Sequence, residues 1–243
     1  ADNYSVADGL DMVKEHFGLG DASKGLQLSQ FEMQQLKDAF SLLGRVECVL
    51  ERKMDLAVEI SVLIARNSQG EVACYPPAEN EHRNSILHQC VVPARVDNDL
   101  AERARAQAIG LAGALNYIGI MAVEFFITTD GQLIFNEMAP RPHNSGHYTM
   151  DAAVTSQFEQ QVRVMCGLPP GNAQLISPVV MINLLGDLWP VDWAECLCNP
   201  ALKLHLYGKR EAREGRKMGH FNLLAENVDA AIMAADQIFQ KIS

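Results

Sequence analysis

Residues 123–137 read VEFFITTDGQLIFNE. An Asp-Gly pair between two apolar, β-branched and aromatic runs is a strong hairpin signal. With Asp130 and Gly131 as a two-residue turn, Glu124 faces Glu137 across the ladder. Their Cβ atoms then lie about 4.5–5.5 Å apart. Two like charges so placed repel, so the pair needs a shared proton, a basic partner or a divalent cation. Asn136 adds a neutral oxygen beside them. In a different register each carboxylate simply meets solvent.

Directly after this hairpin comes MAPRPHNSGH at 138–147. Arg141 suits a bidentate clamp on phosphate or carboxylate, and His143 or His147 can move a proton near neutral pH. The prolines and Gly146 argue against a zinc-binding helix here. The alternative is a polar loop with exposed histidines. Further on, YGKREAREGRKMGH at 207–220 gathers Lys209, Arg210, Arg213, Arg216 and Lys217. That cluster is either an anion site or a solvated loop paired with Glu211 and Glu214.

The remaining pattern is mixed. Helices are expected over 5–17, 29–43, from Asp97 or Asn98 to Leu115, over Met150–Met165 with Phe158, Val162 and Met165 on one stripe, and over Val228–Ile242. Strands are expected at Val46–Leu50, Glu59–Ala65, Glu71–Tyr75, Ile120–Thr128, Gln132–Glu137, Val179–Leu185, Leu202–Tyr207 and Phe221–Leu224. Glu79–His82 reads as a polar loop. Several hairpins among helices point to the α+β class.

The chain has 243 residues, 48 % of them hydrophobic, and a net charge of −10. This composition supports a sizeable core and excludes disorder as a description of the whole. The acidic balance argues against nucleic-acid binding. No apolar run reaches membrane-spanning length and no leader peptide is expected. The six scattered cysteines read as reduced thiols of a cytoplasmic protein.

Taken together, EISVLIARN, YPPAENEH, ILHQCVVPAR, the segment from Ile118 to Arg163, VMINLLGDLW and YGKREAREGRKMGHFNL resemble the N5-carboxyaminoimidazole ribonucleotide synthetases of the ATP-grasp superfamily. The resemblance runs from about Glu47 to Leu224. It implies an ATP-grasp fold, an antiparallel sheet with flanking helices and a small β-rich C-terminal subdomain. The expected division is a partial lid at 1–50, the main ATP-grasp domain at 51–173 and the C-terminal subdomain at 174–243.

The resemblance also implies a reaction. ATP and bicarbonate form carboxyphosphate, which carboxylates the exocyclic amine of 5-aminoimidazole ribonucleotide in purine biosynthesis. By position, Glu51, Arg52, Lys53 and Met54 become the adenine hinge. Glu59 holds the ribose, and His82 lies near the nucleotide. Glu124 and Glu137 bind Mg²⁺ with Asn136 beside them. Arg141 and His143 line the reacting centre, and His143 handles the proton. Asp21, Asn144 and Ser145 are expected at the substrate. Lys209, Arg216 and Lys217 hold the 5′-phosphate. Of the family's glycine-rich loop only Asp21, Lys24 and Gly25 match, although one alignment makes Lys14 the nucleotide lysine. The family's N-terminal α/β domain has no counterpart in this stretch. The family also implies a homodimer. The alternative reading is a truncated, non-catalytic remnant that binds nucleotide or a partner.

Overall fold

The computed structural model describes residues 30–48 and 54–243. The chain divides into two compact units, residues 1–53 and 54–243. In the first, helix α1 spans Gln30–Leu42. Gly44 and Arg45 both take positive φ and end it. Val46–Cys48, expected to begin a buried strand, is irregular, and Val46 is 58 % exposed. The expected helix at 5–17, the loop carrying Lys14, Asp21, Lys24 and Gly25, and residues 49–50 lie outside the described residues.

The second unit is built on one antiparallel sheet. Its strands are β1 (Leu56–Arg66), β2 (Val72–Cys74), β3 (Ala78–Arg83), β4 (Ile86–Val92), β5 (Gly119–Thr128), β6 (Leu133–Ala139), β7 (Val179–Leu185), β8 (Leu202–Leu206) and β9 (Lys217–Leu224). They run in the order β6-β5-β1-β3-β4-β7-β9-β8, with β2 paired to β1. The helices are α2 (Asn98–Ala114), α3 (Thr149–Ala152), α4 (Gln157–Met165), α5 (Trp193–Leu197) and α6 (Val228–Ile242).

Strand alternation sorts the core into layers. Ile60, Val62 and Ile64 of β1 pack with Ala104, Ala108 and Ala112 of α2. Alanines four apart give α2 a flat seam that lets it lie close to the sheet. The Asp97 carboxylate caps this helix, accepting from the Leu100 amide at 2.8 Å. Leu63 and Ala65 point the other way, into a cluster that includes Val164 of α4. Beyond β4, helix α6 covers Ile182, Leu184, Phe221 and Leu223 with Ala231, Ala235 and Ile238. A large apolar side chain, fully buried, contributes about 1.5–3 kcal/mol.

Two expectations fail here. Glu79–His82 is strand, not loop, because Asn84 and Ser85 both take positive φ and close a tight hairpin into β4. The single helix expected over Met150–Met165 is two. Ser156 interrupts it and caps α4 by accepting from the Glu159 amide. The stripe Phe158, Val162 and Met165 faces outward, while Gln157, Gln160 and Val164 face inward. The inward glutamines are satisfied by backbone: Gln160 both donates to and accepts from Gly171. Cys48, Cys74, Cys90, Cys166 and Cys198 are free thiols. Among the described residues no helix is long and apolar enough to cross a membrane.

Candidate active site

The β5–β6 hairpin differs from the expected one at its tip. Thr128 donates its amide to Gln132 and Gly131 takes a φ of +81, which makes a three-residue loop rather than a two-residue turn. That loop shifts the ladder so that Phe125 faces Phe135. A bulge then restores the register, and Val123 faces Met138. Glu124 therefore stands against two residues at once, Asn136 and Glu137. The expected juxtaposition is present, reached through a bulge.

Glu124 also pairs with Ser61 of β1, and Glu59 with Asn80 of β3. Residues paired across an antiparallel ladder share a face. One face of the sheet thus presents Glu124, Glu59, Ser61, Asn80 and His82. On it opens a cleft of about 440 Å³, lined among others by His82, Glu124, Glu137, His143, Asn144, Lys209 and Lys217. His82 reaches Glu59 at 2.7 Å.

Burial, then the charges of Glu137 and Glu59, push the Glu124 carboxyl up to about 7. Burial, then Arg141 and Lys217, hold the His143 imidazole down at about 4. His143 Nε2 lies 3.4 Å from Glu124 Oε1. Its Nδ1 meets Ser145 Oγ at 2.9 Å and the Ser145 amide at 3.4 Å. Ser61 donates to Ser145 at 2.8 Å, and Cys90 donates to Asn80 at 3.2 Å. Asn144 turns both polar atoms of its amide inward without a partner. A buried amide left so invites a ligand that offers one donor and one acceptor.

The basic loop is anchored on the end of β7. The Gly186 amide donates to Arg216 O at 2.8 Å, and Gly215 donates to Asp187 at 2.9 Å. A Cβ at Gly186 would come within 2.1 Å of Arg213 O, so only glycine admits this approach. Lys209 crosses back to the Lys217 carbonyl, and burial lowers the Lys217 ammonium below its usual range.

Not every expected residue lines the cleft. Ser145 is fully buried and serves His143 instead. Arg216 turns to the Glu211 carbonyl at 3.1 Å, and exposed Arg141 to the Pro142 carbonyl at 3.0 Å. Met54 is half-buried at the start of the second unit. Asp21, Glu51, Arg52 and Lys53 lie outside the described residues. Ser61, Asn80 and Gln157 are additions. Ser61, a polar residue within the apolar run Ile60–Ala65 of β1, carried a readable signal.

His147, four residues after His143, faces a second cavity of about 460 Å³ with Phe158, His205, Tyr207 and His220. The three imidazoles stack, His147 on His220 at 4.8 Å and His205 on His220 at 4.6 Å. Among the described residues no group of three or more His, Cys, Asp or Glu is arranged to hold a metal by itself. The Glu124–Glu137 pair with the Asn136 oxygen fits a hard cation that takes its other ligands from phosphate and water.

Residues 12–158 match the ATP-grasp domain, and residues 179–234 match the phosphoribosylaminoimidazole carboxylase C-terminal domain. The chain is 46 % identical over 198 residues to the N5-carboxyaminoimidazole ribonucleotide synthase of Bacillus subtilis (strain 168), covering 82 % of this chain and 52 % of that protein. With the same-named protein of Brucella melitensis biotype 1 it shares 44 % over 204 residues, 83 % of this chain and 56 % of that one. Among solved structures, the N5-carboxyaminoimidazole ribonucleotide synthetase of Thermus thermophilus superposes with a TM-score of 0.80 at 38 % identity, over 86 % of this chain and 57 % of that one. The synthase of Aspergillus clavatus, in complex with ADP and 5-aminoimidazole ribonucleotide, gives 0.74 at 28 %, over 85 % and 58 %. The chain spans about half the length of the curated relatives it matches. With an antiparallel sheet, a carboxylate pair on one bulge and a family match over more than half its residues, the chain belongs to the ATP-grasp family.

Proposed function

We propose that this chain carries the ATP-grasp and C-terminal parts of an N5-carboxyaminoimidazole ribonucleotide synthase. It uses ATP and bicarbonate to carboxylate 5-aminoimidazole ribonucleotide through carboxyphosphate. One observation carries the reading. A single cleft is lined by two carboxylates, Glu124 and Glu137, by two lysines, Lys209 and Lys217, and by Asn144, whose buried amide is unpartnered. The names of the relatives and the ligands of the Aspergillus complex support it.

Glu124 and Glu137, with Asn136, are the residues to hold Mg²⁺. When bound, such a cation would offset phosphate charge during phosphoryl transfer. The chain's own groups do the rest. Lys209 and Lys217 hold the 5′-phosphate, and Arg216 keeps the loop folded around them. Arg141 sits at the rim and adds positive charge beside the reacting centre. His143, neutral and with Nδ1 facing two Ser145 donors, presents its Nε2–H to the centre as a hydrogen-bond donor. Asn144 fixes the substrate. His82, oriented by Glu59, borders the nucleotide, and residues 51–54 form its hinge.

We assign residues 1–50 to a lid, 51–173 to the main domain and 174–243 to the C-terminal subdomain. The protein acts as a cytoplasmic homodimer in this reading.

The test is phosphate release from ATP by the purified chain, with and without bicarbonate and 5-aminoimidazole ribonucleotide. Release that needs both supports the reading. ATP binding without turnover identifies the non-catalytic alternative, and turnover indifferent to the ribonucleotide identifies another ATP-grasp reaction.

A further inference from the structure

We propose that Gln157, outside the cleft and on α4, is the positioning residue that sets His143. Three observations carry this. Gln157 is fully buried, the first residue of its helix, and lies beneath the loop rather than in the cleft. Its Oε1 accepts the His143 amide at 2.9 Å, while its Nε2 donates to the His143 carbonyl at 2.8 Å. One side-chain amide thus grips both backbone groups of the same residue, as a neighbouring strand would. The same Nε2 lies 2.9 Å from His147 Nδ1.

An amide nitrogen only donates, so His147 Nδ1 accepts and its proton sits on Nε2. Both Gln157 N–H groups are then used, and its orientation is fixed. Rotated by half a turn, the amide would set oxygen against the His143 carbonyl and N–H against N–H. Gln157 is in turn seated by Thr149, whose Oγ1 accepts the Gln157 backbone N–H at 2.9 Å and donates to Gly146 O at 2.6 Å. Gly146 leaves the room required, since a Cβ there would lie 2.5 Å from Gln157 Oε1.

The consequence is a hold on His143 from two sides. Ser145 fixes the ring through Nδ1, and Gln157 fixes the backbone that carries the ring. A displacement of about 1 Å at a reacting group costs on the order of 100-fold in rate. The catalytic half of this inference rests on the carboxylation reading; the hydrogen-bond half does not.

The experiment uses the full chain, wild type and two variants, with ¹⁵N-labelled histidines. Long-range ¹H–¹⁵N spectra report which ring nitrogen carries the proton. In Gln157→Glu the acceptor for the His143 amide remains and both donors are lost. The His147 proton is then expected to move from Nε2 to Nδ1, to donate to the new carboxylate. In Gln157→Met the His143 signals are expected to shift, while those of His88, remote and packed on Phe239, stay in place. Turnover is expected to fall about 10-fold or more through kcat in Gln157→Met, with KM for ATP within about threefold, and Gln157→Glu is expected to lie between.

An unmoved His147 proton in Gln157→Glu overturns the proposed hydrogen bonds. Shifted signals with an unchanged kcat overturn the positioning role. If Gln157→Met does not fold, Gln157→Glu decides both points. If the wild type shows no turnover, the carboxylation reading has failed, and the spectra alone decide whether Gln157 holds His143.

Discussion

His143 Nε2 stands 3.4 Å from Glu124 Oε1, and the proton preference of the two groups is inverted. The carboxyl, pushed up to about 7, keeps its proton where the imidazole, held at about 4, has already lost one. At pH 5–6 the pair is a neutral acid beside a neutral base, although free side chains of these kinds would form an ion pair.

Glu124 therefore costs the empty protein stability above neutrality. Its carboxyl ionises near 4.5 in the unfolded chain and near 7 in the folded one. The folded state binds the proton more tightly, so its contribution is complete below 4.5 and is lost as pH rises through 7. Glu124→Gln is expected to be more stable than wild type by about 1–3 kcal/mol at pH 8 without divalent cations. The two should coincide at pH 4. Urea melts at both pH values decide it, and an equal gap at each would sink the assignment.

Glu137 is exposed, and its substitution should leave the fold within about 0.5 kcal/mol. Glu137→Gln is nonetheless expected to abolish ATP turnover. A melting curve matched to wild type, together with turnover that survives, would remove Glu137 from the cation site.

The two lysines of the cleft, Lys209 and Lys217, predict a split between ligands. Lys209→Met is expected to weaken 5-aminoimidazole ribonucleotide binding about 10-fold or more, with ATP affinity changed far less. Arg216→Ala should act the same way but indirectly, since its guanidinium holds the Glu211 carbonyl. Calorimetric titration of each ligand separates the cases. Equal losses for both ligands would defeat the phosphate role.

The stacked histidines predict acid sensitivity. Burial holds His147 at about 4 and His220 at about 3, against an ordinary 6.5. Both stay neutral in the fold and take up protons on unfolding. Stability is thus complete above 6.5 and lost as pH falls towards 4 and 3, by up to about 2.7 kcal/mol per pH unit for the two rings together. Scanning calorimetry between pH 6.5 and 4.5 tests this. A constant Tm over that range would contradict it.

Much of this is legible in the chain. The alternation in β1, the Asp97 cap and the Asp130-Gly131 turn signal are local, so they survive folding. Glu124 and Glu137 meet as expected only because the bulge offsets the extra residue in the turn, and no local signal announces a bulge. The α3–α4 segment defies its apolar pattern because its inward face is polar. Gln157 and Gln160 look like surface residues until the backbone groups they serve come from Gly171 and from the His143 loop. Ser145 reads as a substrate residue, but its hydroxyl is spent on His143, two residues before it, and on Ser61, a partner that only the fold brings near.

The bulge has a consequence for how freely this hairpin tolerates change. The bulge holds the carboxylates themselves, and regular pairs from Phe125–Phe135 to Ile127–Leu133 separate it from the three-residue loop. Grafting another turn of the same length onto Thr129–Gly131 leaves Glu124 and Glu137 abreast. Deleting Asn136 removes the bulge as well: the ladder becomes regular, Glu137 takes the place directly opposite Glu124, and the acidic pair stays on one face while the neutral amide beside it is lost.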